Sequence, residues 1–495
     1  MRKTVVHIIL LLFLIGSSIQ SFSQTYFNKK IDVRGEVDEG RGGIVSTDSG
    51  YVVCCATIYN GNIGVGLISL NLLGDTLYTK WYGKDFSGYY TGTSGSFRKT
   101  LTNGYTLGGS FKDTSTGLIS FGLLVRFDNN LDTLWSKKYG DGIEDHIFNQ
   151  AIQTSDSGFI CVGSVYVGSS IQTWLMKVDS LGNFEWEKTF GGANTEIGGT
   201  VIQTSDGGYL IGAISNSTTC NGGYDSWIIK TDSNGNQQWS KCYGGSFNDS
   251  EAVMGHEFPD GDYIFVGGRN YFAGNWYKNS VTRIQSNNTV EWYREYGQNA
   301  TDAILQSVKV MPNGDIISVG NSAPYGIILR IRENGDSLWY HNYEYDMAIV
   351  NSLTDFDITP DGGIIAMGTT YLGGQDVWII KLDKFGCLEP NCAFQPYIPQ
   401  VDFVTNGFVE NEYVGSINLF PNPNVGTFSL QYENGINAEV SFVIYDAIGK
   451  NVYEELLQDG MVTKELNLSL SSGIYEWGLS VNNTYINKGK LVIYD

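Results

Sequence analysis

Thr204-Ser205-Asp206-Gly207-Gly208-Tyr209 is one copy of a turn that returns along the chain about every 50 residues. The other copies are Asp48-Ser49-Gly50-Tyr51, Asn103-Gly104-Tyr105, Asp156-Ser157-Gly158-Phe159, Pro259-Asp260-Gly261-Asp262-Tyr263, Pro312-Asn313-Gly314-Asp315 and Asp361-Gly362-Gly363. Asp accepts backbone N–H bonds and Gly reaches left-handed backbone angles, so each copy marks a tight reversal between two strands. Around the Thr204 copy the unit reads as four short strands. Gly199 to Gln203 is the first, Tyr209 to Ile214 the second and Trp227 to Lys230 the third; after an Asp232-Ser233-Asn234-Gly235-Asn236 turn, Gln238 to Tyr243 is the fourth.

A tryptophan marks the fourth strand at Trp81, Trp135, Trp186, Trp239, Trp292 and Trp339, and a glycine ends the second strand at Gly109, Gly163, Gly267, Gly320 and Gly368. One four-stranded sheet cannot cover both of its faces, whereas sheets stacked around an axis cover one another. Six tryptophan strands serve seven turns. The missing strand is supplied by Phe27-Asn28-Lys29-Lys30-Ile31, which matches Trp135-Ser136-Lys137-Lys138-Tyr139 and would complete the last sheet from the other end of the chain. The 62 Gly, 31 Tyr and 11 Trp against 17% charged residues suit an all-β chain of short strands and turns.

These repeats resemble those of secreted bacterial seven-bladed β-propellers, a likeness covering about Thr25 to Cys387. The resemblance implies a fold and no single function, because propellers carry many unrelated activities. Beyond Pro396 and Pro399 the pattern changes. Leu419-Phe420-Pro421-Asn422-Pro423-Asn424, Asp446-Ala447-Ile448-Gly449-Lys450 and Gly473-Ile474-Tyr475, set among alternating apolar residues, resemble the type A sorting domain of the type IX secretion system of Bacteroidetes. That likeness implies a small β-sandwich, the outer-membrane translocon as partner, and a product released or attached at the cell surface. The chain ends Ile493-Tyr494-Asp495, acidic where many relatives end basic.

The expected organisation is a signal peptide over 1–23, a seven-bladed propeller over 24–392, a linker over 393–415 and the sorting domain over 416–495. Arg2 and Lys3, the apolar run Val5 to Ile15 and the small residues Ser21 and Ser23 before Gln24 make up the leader. No later stretch is apolar for long enough to span a bilayer as a helix. The formal net charge of −21 repels phosphate backbones, which argues against nucleic acid as a partner. In an oxidising compartment Cys387 and Cys392 are the leading disulfide pair, and Cys220 and Cys242 could also pair. Cys54, Cys55 and Cys161 fall inside strands and read as buried apolar residues.

Residues that could carry chemistry are few. His256-Glu257-Phe258-Pro259 begins like a zinc-protease motif but has no second histidine, and Pro259 would break the helix. The weak catalytic candidates are Asp145, His146 and Asp249, within a series of acids between repeats that includes Asp38, Glu196, Asp302 and Asp346. Such acids could hold a cation or hydrolyse a glycoside at a channel mouth, but a repeated Asp is more economically a loop-fixing acceptor. Calcium is the one cofactor considered. The Asp128, Asp179 and Asp232 turns lack the ligand number of a calcium loop. The loops between second and third strands are aromatic, at Tyr224, Tyr271, Phe272, Trp276, Tyr277 and Tyr371, and exposed rings of this kind can stack on sugars or anchor a protein. The expected function is therefore glycan or protein binding through this loop face. The alternatives are a carbohydrate-active enzyme using acids at the channel, and a structural surface protein.

Overall fold

A computed structural model describes residues 25–33, 37–59, 62–83, 87–113, 119–217, 220, 224–243, 250–270, 277–300, 302–346, 348–390, 392, 403–404, 418–420, 422, 425–434, 440–446, 450–457, 460–481 and 484–494. Among these residues every regular element is a β-strand. The leader, the loop carrying Tyr271, Phe272 and Trp276, the position of Asp249 and most of the expected linker lie outside them.

Up to Leu382 the described strands form seven antiparallel sheets. The third sheet shows the pattern: His146–Gln153, Phe159–Val167, Ser170–Val178 and Phe184–Phe190 follow one another in space as they do in sequence. The last sheet is Asn351–Ile358, Ile364–Tyr371 and Gln375–Leu382, and its outer strand is Phe27–Ile31, paired from Phe27 opposite Lys381 to Ile31 opposite Val377. The fifth sheet gains Phe403–Val404 against Tyr293 and Arg294, so part of the segment expected as a linker is strand.

Neighbouring sheets are joined by a contact that repeats. The Trp135 ring lies where a side chain on Gly182 of the next sheet would stand, Trp186 does the same at Gly235, and Trp339 at Gly386. Phe27 takes this role for the last sheet, against Gly74 of the first. These turn glycines have φ near +80°, which explains glycine at the fourth position of each Asp-x-x-Gly-Asn turn twice over. A hydroxyl latch accompanies the ring: Tyr139 donates to Gly182 O at 2.7 Å, Tyr296 to Gly335 O at 2.6 Å and Tyr343 to Gly386 O at 2.7 Å.

The glycine expected to end the second strand lies inside it instead, and has a different cause. The inner strand bulges opposite it, between Phe148 and Gln150, Leu305 and Ser307, and Leu353 and Asp355. A Cβ on Gly163, Gly320 or Gly368 would stand 1.9, 2.0 or 1.7 Å from a carbonyl oxygen of that bulge.

Inside the sheets a buried cation holds the Asp-Gly turn. Lys177, Lys230 and Lys381 occupy equivalent third-strand positions and are 3%, 2% and 1% exposed. Their Nζ atoms reach Asp156, Asp206 and Asp361 at 2.8, 2.8 and 3.0 Å. Each also donates to the carbonyl of the following residue, so no ammonium hydrogen is wasted in the core. Arg126, Arg283 and Arg330 stand at the same position in other sheets; Arg330 binds Asp315, Arg283 binds Asp260 and Asp262, and Arg126 binds the turn carbonyls of Asn103 and Tyr105 where no Asp is present. Burial would push Asp156 up, but Lys177, Thr154 and the Gly158 N–H outweigh it and hold the carboxyl at about 2.

Two disulfides are formed, Cys220–Cys242 within the fourth sheet and Cys387–Cys392 just after the last. Cys54, Cys55 and Cys161 are free and buried. The C-terminal residues make a three-stranded and a four-stranded sheet, and Phe428, Leu430, Phe442, Ile444, Leu466, Leu491 and Ile493 from both share one core.

Candidate functional site

The hairpins between second and third strands and the connections between sheets share one face, and hydrogen bonds tie them together. Ile58 N donates to Val37 O at 2.9 Å, Tyr166 N to Asp145 O at 3.0 Å, Asn216 N to Thr195 O at 3.1 Å, Ala323 N to Asp302 O at 2.8 Å and Tyr371 N to Val350 O at 3.1 Å. Tyr371 ends the strand Ile364–Tyr371 and is 41% exposed; Tyr224, just before Asp225–Thr231, is 37% exposed. Tyr277 opens Tyr277–Ile284 and is half-buried.

Aliphatic residues that the sequence reading passed over join the aromatics on this face. Ile349 is 80% exposed, and its N–H donates to Tyr371 O at 3.3 Å. Val350, Val37, Ile143 and Val167 are exposed on the same set of loops. The signal was there in Ala348-Ile349-Val350, an apolar run in a connection that elsewhere carries acids and small polar residues. Glu39 and Arg41 lie close enough to Tyr371 to act on its hydroxyl, which burial, above all, pushes up.

The described acids of the sheet connections work mainly as loop acceptors. Asp145 Oδ1 takes the Ser120 N–H, and Glu196 Oε2 takes the Gly192 N–H at 3.1 Å. His146 is buried edge-on against Trp174, ring centres 4.9 Å apart, with Nδ1 2.9 Å from Glu144 O. In the Asp128, Asp179 and Asp232 turns one carboxylate oxygen accepts two backbone N–H groups, which closes the turn.

The axis is filled from within. In the second sheet the inner strand is broken into Ser87–Thr91 and Phe97–Lys99; Gly92 and Ser96 stay bonded to Gly108 of that sheet, and Thr93 to Gly95 bulge out between them. Thr93 N donates to Asn149 O of the third sheet at 2.9 Å and its Oγ1 to Gly199 O of the fourth at 3.4 Å. Ser94 Oγ reaches Gln306 of the sixth at 3.2 Å, Ser96 Oγ reaches Gly42 O of the first at 3.5 Å, and Arg98 lies 3.6 Å from Met254 Sδ of the fifth. Arg98 also pairs at 3.0 Å with Asp355 of the seventh, which is wholly buried and further bound by Ser307 Oγ at 2.9 Å and Ile44 N at 3.2 Å. A single short stretch can meet the inner strand of every other sheet only where those strands converge. The picture of an open channel ringed by acids thus gives way to a plugged axis, whose buried acid is neutralised by Arg98.

Antiparallel four-stranded meanders in series, each packed on the next and the last on the first, define a β-propeller, here followed by a separate all-β C-terminal module. Residues 418–494 match the family described as secretion system C-terminal sorting domain, which marks the protein for type IX export to the outer-membrane surface or the medium. No curated protein matches the chain in sequence. Among solved structures it is similar to puromycin hydrolase, with 11% identity and a TM-score of 0.43 over 80% of this chain and 59% of that one. It is also similar to the α-L-arabinofuranosidase Arb93A from Fusarium graminearum, with 12% identity and a TM-score of 0.39 over 60% and 92% of the two chains. The β-propeller domain of the Trilobed protease from Pyrococcus furiosus gives 10% identity and a TM-score of 0.37 over 72% and 95%. Among the described residues no helix is long and apolar enough to cross a membrane.

Proposed function

We propose that this chain is a surface-displayed or released binding protein: a seven-bladed propeller over 24–392, freed of a leader at 1–23 and joined by a linker at 393–415 to a sorting β-sandwich at 416–495. Its ligand, a glycan or a protein, docks on the loop face that carries Tyr371, Ile349 and Val350, with Tyr224 and Tyr277 on the same face. Exposed rings beside aliphatic side chains suit the apolar faces of sugar rings or the apolar anchors of a protein partner.

The observation that carries this reading is the plug. A glycosidase at the axis needs two carboxylates facing a cleft that admits substrate. Here the Thr93 to Gly95 bulge and the Arg98 side chain occupy the axis, and Asp355 is consumed by Arg98, Ser307 and Ile44 N. The loop face remains as the surface open to a ligand.

The test is binding of the purified chain to arrays of cell-surface polysaccharides and surface proteins, with a reducing-sugar assay run alongside. Binding that falls at least about tenfold in Tyr371→Ala with no sugar release supports the proposal. Sugar release, or array binding unchanged in Tyr371→Ala and in Ile349→Ser, refutes it.

A further inference from the structure

We propose that Asp32, Asp38 and Asp376 form a binding site for a hard divalent cation of calcium's size, at the seam where the two ends of the repeat array meet. Oxygens of the three carboxylates lie within 4.8 Å of one another, a spread that ligands around a cation with oxygen bonds of about 2.4 Å can span. They arrive from three places. Asp32 follows the outer strand Phe27–Ile31, Asp38 opens the inner strand Asp38–Thr47 of the first sheet, and Asp376 lies in Gln375–Leu382 of the last.

A second observation points into this cluster. Asp38 is 0% exposed, and its Oδ1 is sealed from solvent without a hydrogen-bond partner, while Oδ2 takes the Val33 N–H at 2.6 Å. The Thr57 hydroxyl beside it is equally sealed, and its pull on the carboxyl is the main effect that offsets burial. Buried carboxylate oxygens are costly unless bonded or bound to a cation. Elsewhere the same position is satisfied by its own sheet or by the connection leading into it. Asn351 Oδ1 takes Thr370 Oγ1 at 3.0 Å and Tyr345 N at 3.1 Å, and Glu196 Oε1 takes Ser215 Oγ at 3.4 Å. The pairs Asp38 with Thr57, Glu196 with Ser215 and Asn351 with Thr370 are equivalent in register.

Charge leads to the same conclusion. Lys30 Nζ sits 2.8 Å from Asp376 Oδ2, and the three carboxylates crowd around that one pair. A divalent cation would relieve the mutual repulsion of the three carboxylates. The donors are all oxygen, which favours calcium or magnesium over zinc or copper. Calcium tolerates the irregular geometry of a seam, whereas magnesium demands a near-ideal octahedron.

The experiment uses the full chain stripped with EDTA and titrated with CaCl2 or MgCl2 by calorimetry, with thermal unfolding in parallel. One calcium site with Kd of about 10⁻⁴ to 10⁻³ M and a rise in Tm is expected, the range of extracellular calcium modules. Asp38→Asn should weaken binding at least about tenfold. Asp32→Asn, at an exposed position that cannot disturb the core, should do the same, and Asp75→Asn should not. Lys30→Gln should lower Tm in EDTA, bind calcium more tightly and recover its Tm when calcium is added. No calcium binding up to about 5 mM, or binding unchanged in Asp32→Asn and Asp38→Asn, overturns the site. Magnesium binding as tight as calcium overturns the size assignment.

Discussion

Trp378 Nε1 donates to Asn28 Oδ1 at 2.6 Å, joining a fully buried indole of the last repeat to the second residue of the strand with which the array begins. Asn28→Ala leaves that indole N–H without its acceptor and should cost about 1–2 kcal/mol. Phe27→Ala, which empties the contact with Gly74, should cost about 2 kcal/mol. Lys29→Ala, which gives up a partly exposed ion pair with Asp75 on the same turn, should cost less, under about 1 kcal/mol. Thermal unfolding of the three variants checks the ranking.

Acid should act through the lysine clamps. Asp156 is held at about 2, and Asp206 and Asp361 are also held below the usual carboxylate range, in each case against the opposing effect of burial. A carboxyl depressed in the folded state takes up a proton more readily once unfolded, so its contribution is present above about pH 4 and lost as pH falls toward 2. Tm should therefore drop across that window. Asp361→Asn should flatten part of the drop and cost about 3 kcal/mol at neutral pH, because it strands the buried Lys381 ammonium. Lys381→Met combined with Asp361→Asn should recover much of that loss, and the double-mutant cycle measures it.

Removing the plug's charge should be severe. Arg98→Met takes the cation from the wholly buried Asp355, leaving it Ser307 and Ile44 N as donors, and should cost about 3 kcal/mol. Asp355→Asn should be milder, since an amide oxygen can keep one donor while Arg98 is partly exposed. Urea unfolding midpoints at constant m-value would give both numbers.

Deleting residues 418–494 should stop the protein short of the cell surface while leaving the propeller folded. Fractionation should find the truncated chain in the periplasm and none in the medium or on the outer membrane. A truncated chain recovered outside would contradict this expectation.

The repeats were legible because their turn chemistry is local: Asp206 caps Gly208 N within two residues, and Asp232 caps Asn234 and Asn236. The likeness of Phe27 to Ile31 to the Trp135 strand could be read the same way. Lys381 could not be read as buried, since a lysine in a strand looks like a solvent-facing charge until its aspartate is folded onto it. The plug was hidden for a related reason. The Thr93 to Gly95 bulge has no counterpart in the other repeats, so periodicity gave it no place. Ile349 and Val350 carry neither a ring nor a charge, so nothing in their side chains marks a binding surface in the sequence. Asp32 and Asp376 stand at opposite ends of the array, and only the closing pair of strands brings them together.

The outermost strand of the last sheet is synthesised long before the strand it pairs with. A nascent chain must hold Phe27–Ile31 in waiting while Gln375–Leu382 is still unmade, and once made, that later strand presents an open edge of the kind that recruits other molecules into aggregates. Chaperones that escort the polypeptide before its final translocation thus meet a molecule with one vulnerable border, and proteolytic trimming past Ile31 would recreate that border in the finished product.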